Sequence, residues 1–300
     1  MSQGNVRPGD PARSERKVFR ISTLVNTVIL ALFASLFLMP VLLTAVNSIM
    51  TEQEIQRNNA ALGQLDADTF VNLKWIPDTV SLEQFKTILI GTPQFLRMFW
   101  NSVFLVVPMI LGQAVVASLA AYAFTKLRFR GRDALFYVYL LTMLMPFQVT
   151  MVPNYIVADW LGWINTPASI IGPGIFAAFG VFLMRQFLMN IPYAYIEAGK
   201  MDGAGHLRIF TSILLPMIKP GAAALVLLLF VDYWNMVEQP LIFLHDTIKQ
   251  PLSVYLSRLR GDYIGIAYAS SVIYMAPMIL LFLNAEPYFI KGVQLSGIKG

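Results

Sequence analysis

The sequence has no cysteine and only two histidines, and charged residues fill 13% of its 300 positions. The first absence excludes disulfides, thiolate metal sites and a thiol nucleophile. The second removes the basis for a histidine-rich metal set or a catalytic dyad. The third bears on the solvent, because a soluble domain carries about a quarter charged residues. Here 57% of residues are hydrophobic, and whole stretches hold no charge at all: Ile21 to Thr51, Met98 to Thr125, Ala134 to Ala158, Trp160 to Met184 and Tyr263 to Ala285. A helix needs about 20 apolar residues to cross a bilayer. The runs are continuous rather than alternating, which excludes a strand barrel. Hydrocarbon offers no partner to a free amide, so such runs are helices.

A sixth, less clean span runs from about Pro220 to Leu244 and carries Asp232 and Glu238. The expected fold is therefore all-α, a polytopic membrane protein with six transmembrane helices. Its first helix covers 21–49 after a basic tail, 1–20, and is too long for a signal-peptide core. An external segment covers 51–97. Five further spans occupy 98–290, and a short tail covers 291–300. Charge placement sets the sides. Of 22 Lys and Arg, 15 fall in the tail before Ile21, in 126–132, in 185–219 and after 290. Basic residues concentrate in cytoplasmic loops, so both termini are expected in the cytoplasm. The net charge of +5 is thus a topology signal and not a nucleic-acid footprint. Prolines inside the spans (Pro40, Pro108, Pro146, Pro173, Pro277) are tolerated because neighbouring groups re-satisfy the freed carbonyls.

The most informative segment lies outside the expected spans, at 190–216. Asn190 can cap a helix whose early Pro192 costs little. Gly203 suits the left-handed turn that ends such a helix. Asp202 is expected to cap a second helix running through Leu215. Glu197 and Asp202 stand among small residues (Ala198, Gly199, Gly203, Ala204, Gly205) that let another surface approach. The element looks like a docking knob for a soluble partner.

At this point the chain resembles the membrane subunits of binding-protein-dependent ABC importers. Their cytoplasmic signature is Glu-Ala-Ala, three residues, Gly, nine residues, Ile, one residue, Leu-Pro. Glu197-Ala198-Gly199, Gly203, Ile213 and Leu215-Pro216 keep every spacing, and only Gly199 departs, standing where the pattern has Ala. The resemblance extends from about Phe99 onward. It includes Asn101-Ser102, Met145-Pro146-Phe147-Gln148-Val149, Leu161 to Thr166 and Arg185-Gln186-Phe187. Trp234-Asn235 with Pro240-Leu241, and the tail Lys291 to Gly300, resemble the carbohydrate-uptake branch, closest to the smaller permease of a maltose-type heterodimer.

The resemblance implies the type I importer permease fold. It makes Glu197, Ala198, Gly199, Asp202, Gly203 and Ala204 the coupling helix that contacts an ATPase, with Ser296, Gly297 and Lys299 as a second contact. The implied partners are a homologous permease subunit, two ATP-binding-cassette subunits, an extracytoplasmic solute-binding protein and membrane lipid. The external loop at about 250–263 would reach the binding protein. The chain itself binds no cofactor, and ATP and Mg belong to the partner ATPase. No phosphate-cradling loop is present: Gly199-Lys200 is followed by Met201, and Ala194 stands where its first glycine should be.

Within the spans, Asp232, Asn235 and Gln239 follow helical steps of three and four and are expected on one face. An ionisable group in a span marks a pathway by default. With Trp234 and Gln148 they form the candidate translocation path, since sugars are held by hydrogen-bonding groups and aromatic faces. The same groups could instead bridge helices. An ion-coupled secondary transporter is the first rival, but it calls for inverted repeats and a carboxylate relay. An intramembrane enzyme calls for paired catalytic groups that the spans lack. An importer for a non-sugar solute shares the 190–216 loop.

Overall fold

The computed structural model describes residues 11–58, 72–259 and 264–297, with side chains described for 23–58, 72–259 and 264–287. Ser296 and Gly297 belong to the last helix, but their side chains and the whole of Lys299 lie outside the described residues. Among the described residues the backbone is helical apart from turns, loops and one isolated antiparallel bridge, Met50 with Val80. The chain divides into two compact units, Met1–Leu82 and Glu83–Gly300.

In the first unit, α1 (Pro11–Ser48) is followed by α2 (Glu52–Asn58). The Thr23–Ser48 part of α1 has a mean hydropathy of 2.5. Its apolar side chains, among them Leu24, Leu30 and Phe37, are exposed. Its hydroxyls are satisfied within the helix: Thr27, Ser35 and Thr44 each donate to the carbonyl four residues back. That is what an apolar solvent demands of a polar side chain. After α2, the chain returns through a polar staple. The buried Glu54 carboxylate accepts from Lys74 Nζ and from the Asp78 amide, both at 2.9 Å. Lys74 also pairs with Asp78.

The second unit begins with α3 (Glu83–Lys86) and a π turn (Thr87–Gly91). Then come α4 (Pro93–Lys126), α5 (Arg132–Leu144), α6 (Phe147–Trp160), α7 (Ala168–Ile175) and α8 (Ala178–Met189). The segment α9 (Ala194–Met201), α10 (His206–Ile209), a second π turn (Phe210–Leu214) and α11 (Leu215–Met217) leads to α12 (Lys219–Trp234). The unit closes with α13 (Glu238–Phe243), a 3-10 turn (Thr247–Lys249), α14 (Leu252–Arg258) and α15 (Ile264–Gly297). α4 is the central post, packed on α7, α8 and α12, and α12 packs on α15. The buried side of α4 recurs every three or four residues: Phe95, Met98, Ser102, Leu105, Met109, Gln113. Its other side, from Trp100 through Phe104, Leu111 and Val115, is apolar and exposed.

Four helices are long and apolar enough to cross a membrane, or up to six if each of two bent pairs is one span. The bends correct the expectation of continuous third and fifth spans. α5 and α6 meet at 104° across Met145-Pro146. The residue before a proline is driven out of the helical region, and Met145 is extended. The 206–217 stretch meets α12 at 76°. α12 stops at Trp234, so the expected span to Leu244 is broken by Asn235–Val237. The fourth span also breaks, between α7 and α8, where Ala177 is extended. Three carbonyls at this break are held from outside. Tyr233 of α12 donates to Gly174 O at 2.9 Å, Tyr139 of α5 to Phe176 O at 3.1 Å, and Gln113 of α4 to Ala177 O at 3.0 Å.

Two expectations follow. Hydrogen bonding from the Asp78 amide, then from Lys74, holds the Glu54 carboxyl below its usual 4.5. The Lys74 contact likewise lowers Asp78. A lowered carboxyl pKa contributes stability above its unfolded value and loses it as pH falls through the folded one. The protection factor of the Asp78 amide in hydrogen exchange is therefore expected to hold at neutral pH and to be lost on acidification only below the usual carboxylate value of 4.5. Glu54→Ala should abolish it at pH 7. Separately, a Cβ on Gly221 would sit 2.5–2.9 Å from the Phe187 ring. Gly221→Ala should cost about 1–3 kcal/mol by overpacking, read as a lower midpoint of thermal unfolding in detergent.

Candidate coupling site and translocation path

The 190–216 segment folds as a short helix, a left-handed turn and a second helix, as the residue pattern suggests, but with different caps. Asn190 closes the preceding helix α8 instead of opening α9, and its side chain donates to Gln186 O at 3.2 Å. α9 begins at Ala194, past Pro192. Asp202 caps the end of α9, and the next helix starts at His206 with Gly205 at its N-cap and no side-chain cap. Gly203 holds φ +77°, the conformation for which glycine was expected. The second helix does not run straight to Leu215: it opens into the π turn at Phe210–Leu214.

α9 lies on its own unit through Ile196 and Gly199, the two residues it buries. A Cβ at Gly199 would lie 3.0 Å from both Ile209 Cγ1 and Ile213 Cδ1. Glycine at the one position that departs from the family signature therefore lets α9 sit closer to the following helix. The opposite side of α9 is open. Glu197, Ala198, Asp202 and Gly203 are exposed, and Ala204 is half-buried. Glu197 has no ion-pair partner among the described residues. Around it Tyr195, Met201 and Leu207 are exposed large apolar residues, Met201 by 89%. The exposed side of α9 and its turn thus mixes an unpaired carboxylate and other charged groups, Lys200 and Asp202, with large apolar side chains.

The intramembrane candidates do not share one helix face. Asp232 and Asn235 stand on an exposed stripe of α12 with Leu228 and Val231, but the helix ends before Gln239, which belongs to α13. Gln239 donates to Ser169 O at 3.3 Å, and Gln148 of α6 donates to Glu238 Oε2 at 3.2 Å. Asn235 donates to Val231 O and accepts from the Tyr274 hydroxyl at 3.0 Å. Trp234 is 2% exposed. It stacks on Phe230 and Tyr274, meets Phe99 edge-on, and donates from Nε1 to Tyr274 O. Its ring faces are occupied by protein, so it stiffens this region and offers no free platform. Glu238 was not singled out by sequence reasoning as a site, and the structure sets it against Gln148.

Residues shared with the family outside these sites turn out to anchor the loop after α13. Asn101 donates to Ile248 O and Gln250 O, and Ser102 Oγ accepts from the Leu252 amide. Asn165, at φ 59°, accepts from the Asp246 amide and takes Lys249 Nζ on its carbonyl. Tyr122 and Lys126, at the end of α4, touch the coupling segment: Tyr122 Oη lies 2.9 Å from His206 Nδ1, and Lys126 donates to Ile191 O. No local signal marks either contact, since each spans more than sixty positions of sequence.

Comparison with known proteins agrees with this geometry. The arabinooligosaccharides transport system permease protein of Halalkalibacterium halodurans is 28% identical over 95% of this chain and 100% of its own length. The polygalacturonan/rhamnogalacturonan transport system permease protein of Bacillus subtilis is 31% identical, over 75% of this chain and 84% of that one. The sn-glycerol-3-phosphate transport system permease protein of Brucella abortus is 27% identical over 91% of this chain and 96% of that one. Among solved structures, a bacterial ABC transporter involved in the import of the acidic polysaccharide alginate matches with a TM-score of 0.73 and 26% identity, over 90% of this chain and 97% of that chain. Residues 113–292 match the family described as binding-protein-dependent transport system inner membrane component, and the chain belongs to that family.

Proposed function

We propose that the chain is one of two homologous membrane-spanning subunits of a bacterial importer. It would carry a sugar or oligosaccharide, delivered by an extracytoplasmic solute-binding protein, across the cell membrane by alternating access. As a member of its family it is a transport subunit and not an enzyme. Two partner ATPases supply the energy. The observation that carries this reading is the exposed α9 turn, where the signature residues Glu197 and Gly203 stand on an uncovered surface. The carbohydrate assignment draws on the arabinooligosaccharides and polygalacturonan/rhamnogalacturonan relatives, whose named substrates are oligomers or polymers of sugars. The sn-glycerol-3-phosphate relatives favour a second reading, a polyol phosphate, for the same transport cycle.

In this proposal the chain crosses the membrane six times, with α5–α6 forming one broken span and α12 another. Both termini are cytoplasmic, in keeping with the basic residues of 1–20, 126–132, 185–219 and the tail. The coupling residues are Glu197, Ala198, Gly199, Asp202, Gly203 and Ala204, and the tail at Ser296, Gly297 and Lys299 is a second ATPase contact. The anchored loop that begins after α13 contacts the binding protein. Asp232 and Asn235 line the translocation path, with Gln148 and Gln239 beside them and Trp234 as their support. A charge on a lipid-facing stripe costs about 2.5–3.5 kcal/mol on insertion scales, so that side of α12 is better suited to water, solute or the partner permease.

Two measurements test the proposal. Glu197→Lys reverses the free carboxylate, and Gly203→Val strains the left-handed turn. Each should cut co-purification of the ATPase, and uptake with it, by more than about tenfold, the loss that corresponds to ~1.4 kcal/mol of interface energy. Full uptake with the ATPase retained in both variants sinks the coupling assignment. For the solute, the binding protein produced by the neighbouring genes is expected to gain thermal stability with an oligosaccharide. A shift with glycerol phosphate alone would select the second reading.

A further inference from the structure

Both ends of the coupling segment are held by the last two turns of α4. Lys126 is 8% exposed and donates to Ile191 O at 2.5 Å, just before α9 begins. It has no carboxylate partner among the described residues. Burying an ammonium group against a single carbonyl is costly, and an apolar residue would pack at this helix end without that cost. One turn earlier, Tyr122 Oη lies 2.9 Å from His206 Nδ1, just after the Gly203 turn, and its ring lies 5.4 Å from that of Phe210. Only α9 and its turn run between Ile191 and His206.

Two routes lead from this segment into the membrane. The covalent route passes the π turn at Phe210–Leu214, Pro216 and the 76° bend before α12. Each of these can absorb a displacement. The route through Tyr122 and Lys126 enters α4, which is unbroken helix and free of proline from Met109 to Lys126. About 20 Å along it, at about 1.5 Å per residue, Gln113 holds Ala177 O at the break in the fourth span.

We propose that Tyr122 and Lys126 are positioning residues of the transport cycle. They clamp the two ends of the coupling segment to α4, so that a displacement of α9 moves α4 as a rod and reaches the α7–α8 break through Gln113. This inference rests on the reading of α9 as the ATPase-docking helix.

The chain lacks cysteine, so single labels can be placed at will. Spin labels at Ala194→Cys, at the exposed start of α9, and Val115→Cys, on the exposed side of α4, report the distance between the two elements. The intact complex with its second permease and ATPases is measured without nucleotide and with ATP plus vanadate. With the clamp intact the 194–115 distance should stay within about 2 Å, the scale of a small helix shift. In Tyr122→Phe/Lys126→Met it should shift or broaden by about 5 Å or more, one helical turn. Lys126→Arg with Tyr122 intact should behave as the parent. A merely structural role predicts a lower unfolding midpoint in the double variant with no nucleotide-dependent change in distance, and that result overturns the proposal. So does a distance that already changes with nucleotide when the clamp is intact, or loss of the ATPase from the double variant. Failure of the docking reading is distinct: Glu197→Lys then keeps both its ATPase and its uptake.

Discussion

In hydrocarbon a carbonyl with no donor has no water to fall back on, and that constraint governs where this chain can bend. The break between α7 and α8 is the clearest case. It frees carbonyls in the middle of an apolar segment, and three side chains from three other helices, Tyr233, Tyr139 and Gln113, reach in to hold them. Gln113 is also within hydrogen-bond reach of the Tyr233 hydroxyl, so two of the three brace each other. A bend that needs donors from α4, α5 and α12 is defined only when those helices are in place. The packing of α4 on α8 and α12 and the bend of the fourth span are therefore one cooperative feature.

The same solvent explains why the second unit's interior was hard to read. A helix in water announces its buried side by alternating with polar residues. On α4 both sides are apolar: Leu105 and Met109 face protein while Phe104 and Leu111 do not. The composition that reveals a membrane helix therefore hides which side of it packs. What the sequence marks instead are small residues. Glycine at 221 lets the Phe187 ring approach, and glycine at 199 seats α9 against Ile209 and Ile213. Run length pointed to apolar helices, and the structure has four long enough to cross a membrane, or up to six if each of two bent pairs is one span, with a proline beside each of the two breaks.

The coupling segment was legible where its chemistry is local. The position of Gly203 in a left-handed turn follows from the residue itself, and the signature spacing is a property of consecutive residues. The caps were misplaced because Asn and Asp side chains can serve either neighbouring helix. Asn190 found its partner behind it, at Gln186 O, and Asp202 took the end of α9. The contacts of Tyr122 and Lys126 could not be read at all, because they pair α4 with a segment separated from it by four helices of chain.

Polar residues of α6, α12 and α13 stand exposed beside apolar ones. Asp232, Asn235, Glu238 and Gln148 are exposed on this chain, although their neighbours Leu228 and Val231 would suit lipid. Lipid would penalise the carboxylates heavily, whereas an aqueous cleft would not. Trp234, on the buried side of the same turn, is held in an aromatic stack with Phe230 and Tyr274. Leu228, Val231, Asp232 and Asn235 thus share one exposed stripe of α12, apolar toward its start and polar toward its end. Lipid suits the apolar part of that stripe and penalises the polar part, so on the proposed reading the passage would meet α12 near its C-terminal end.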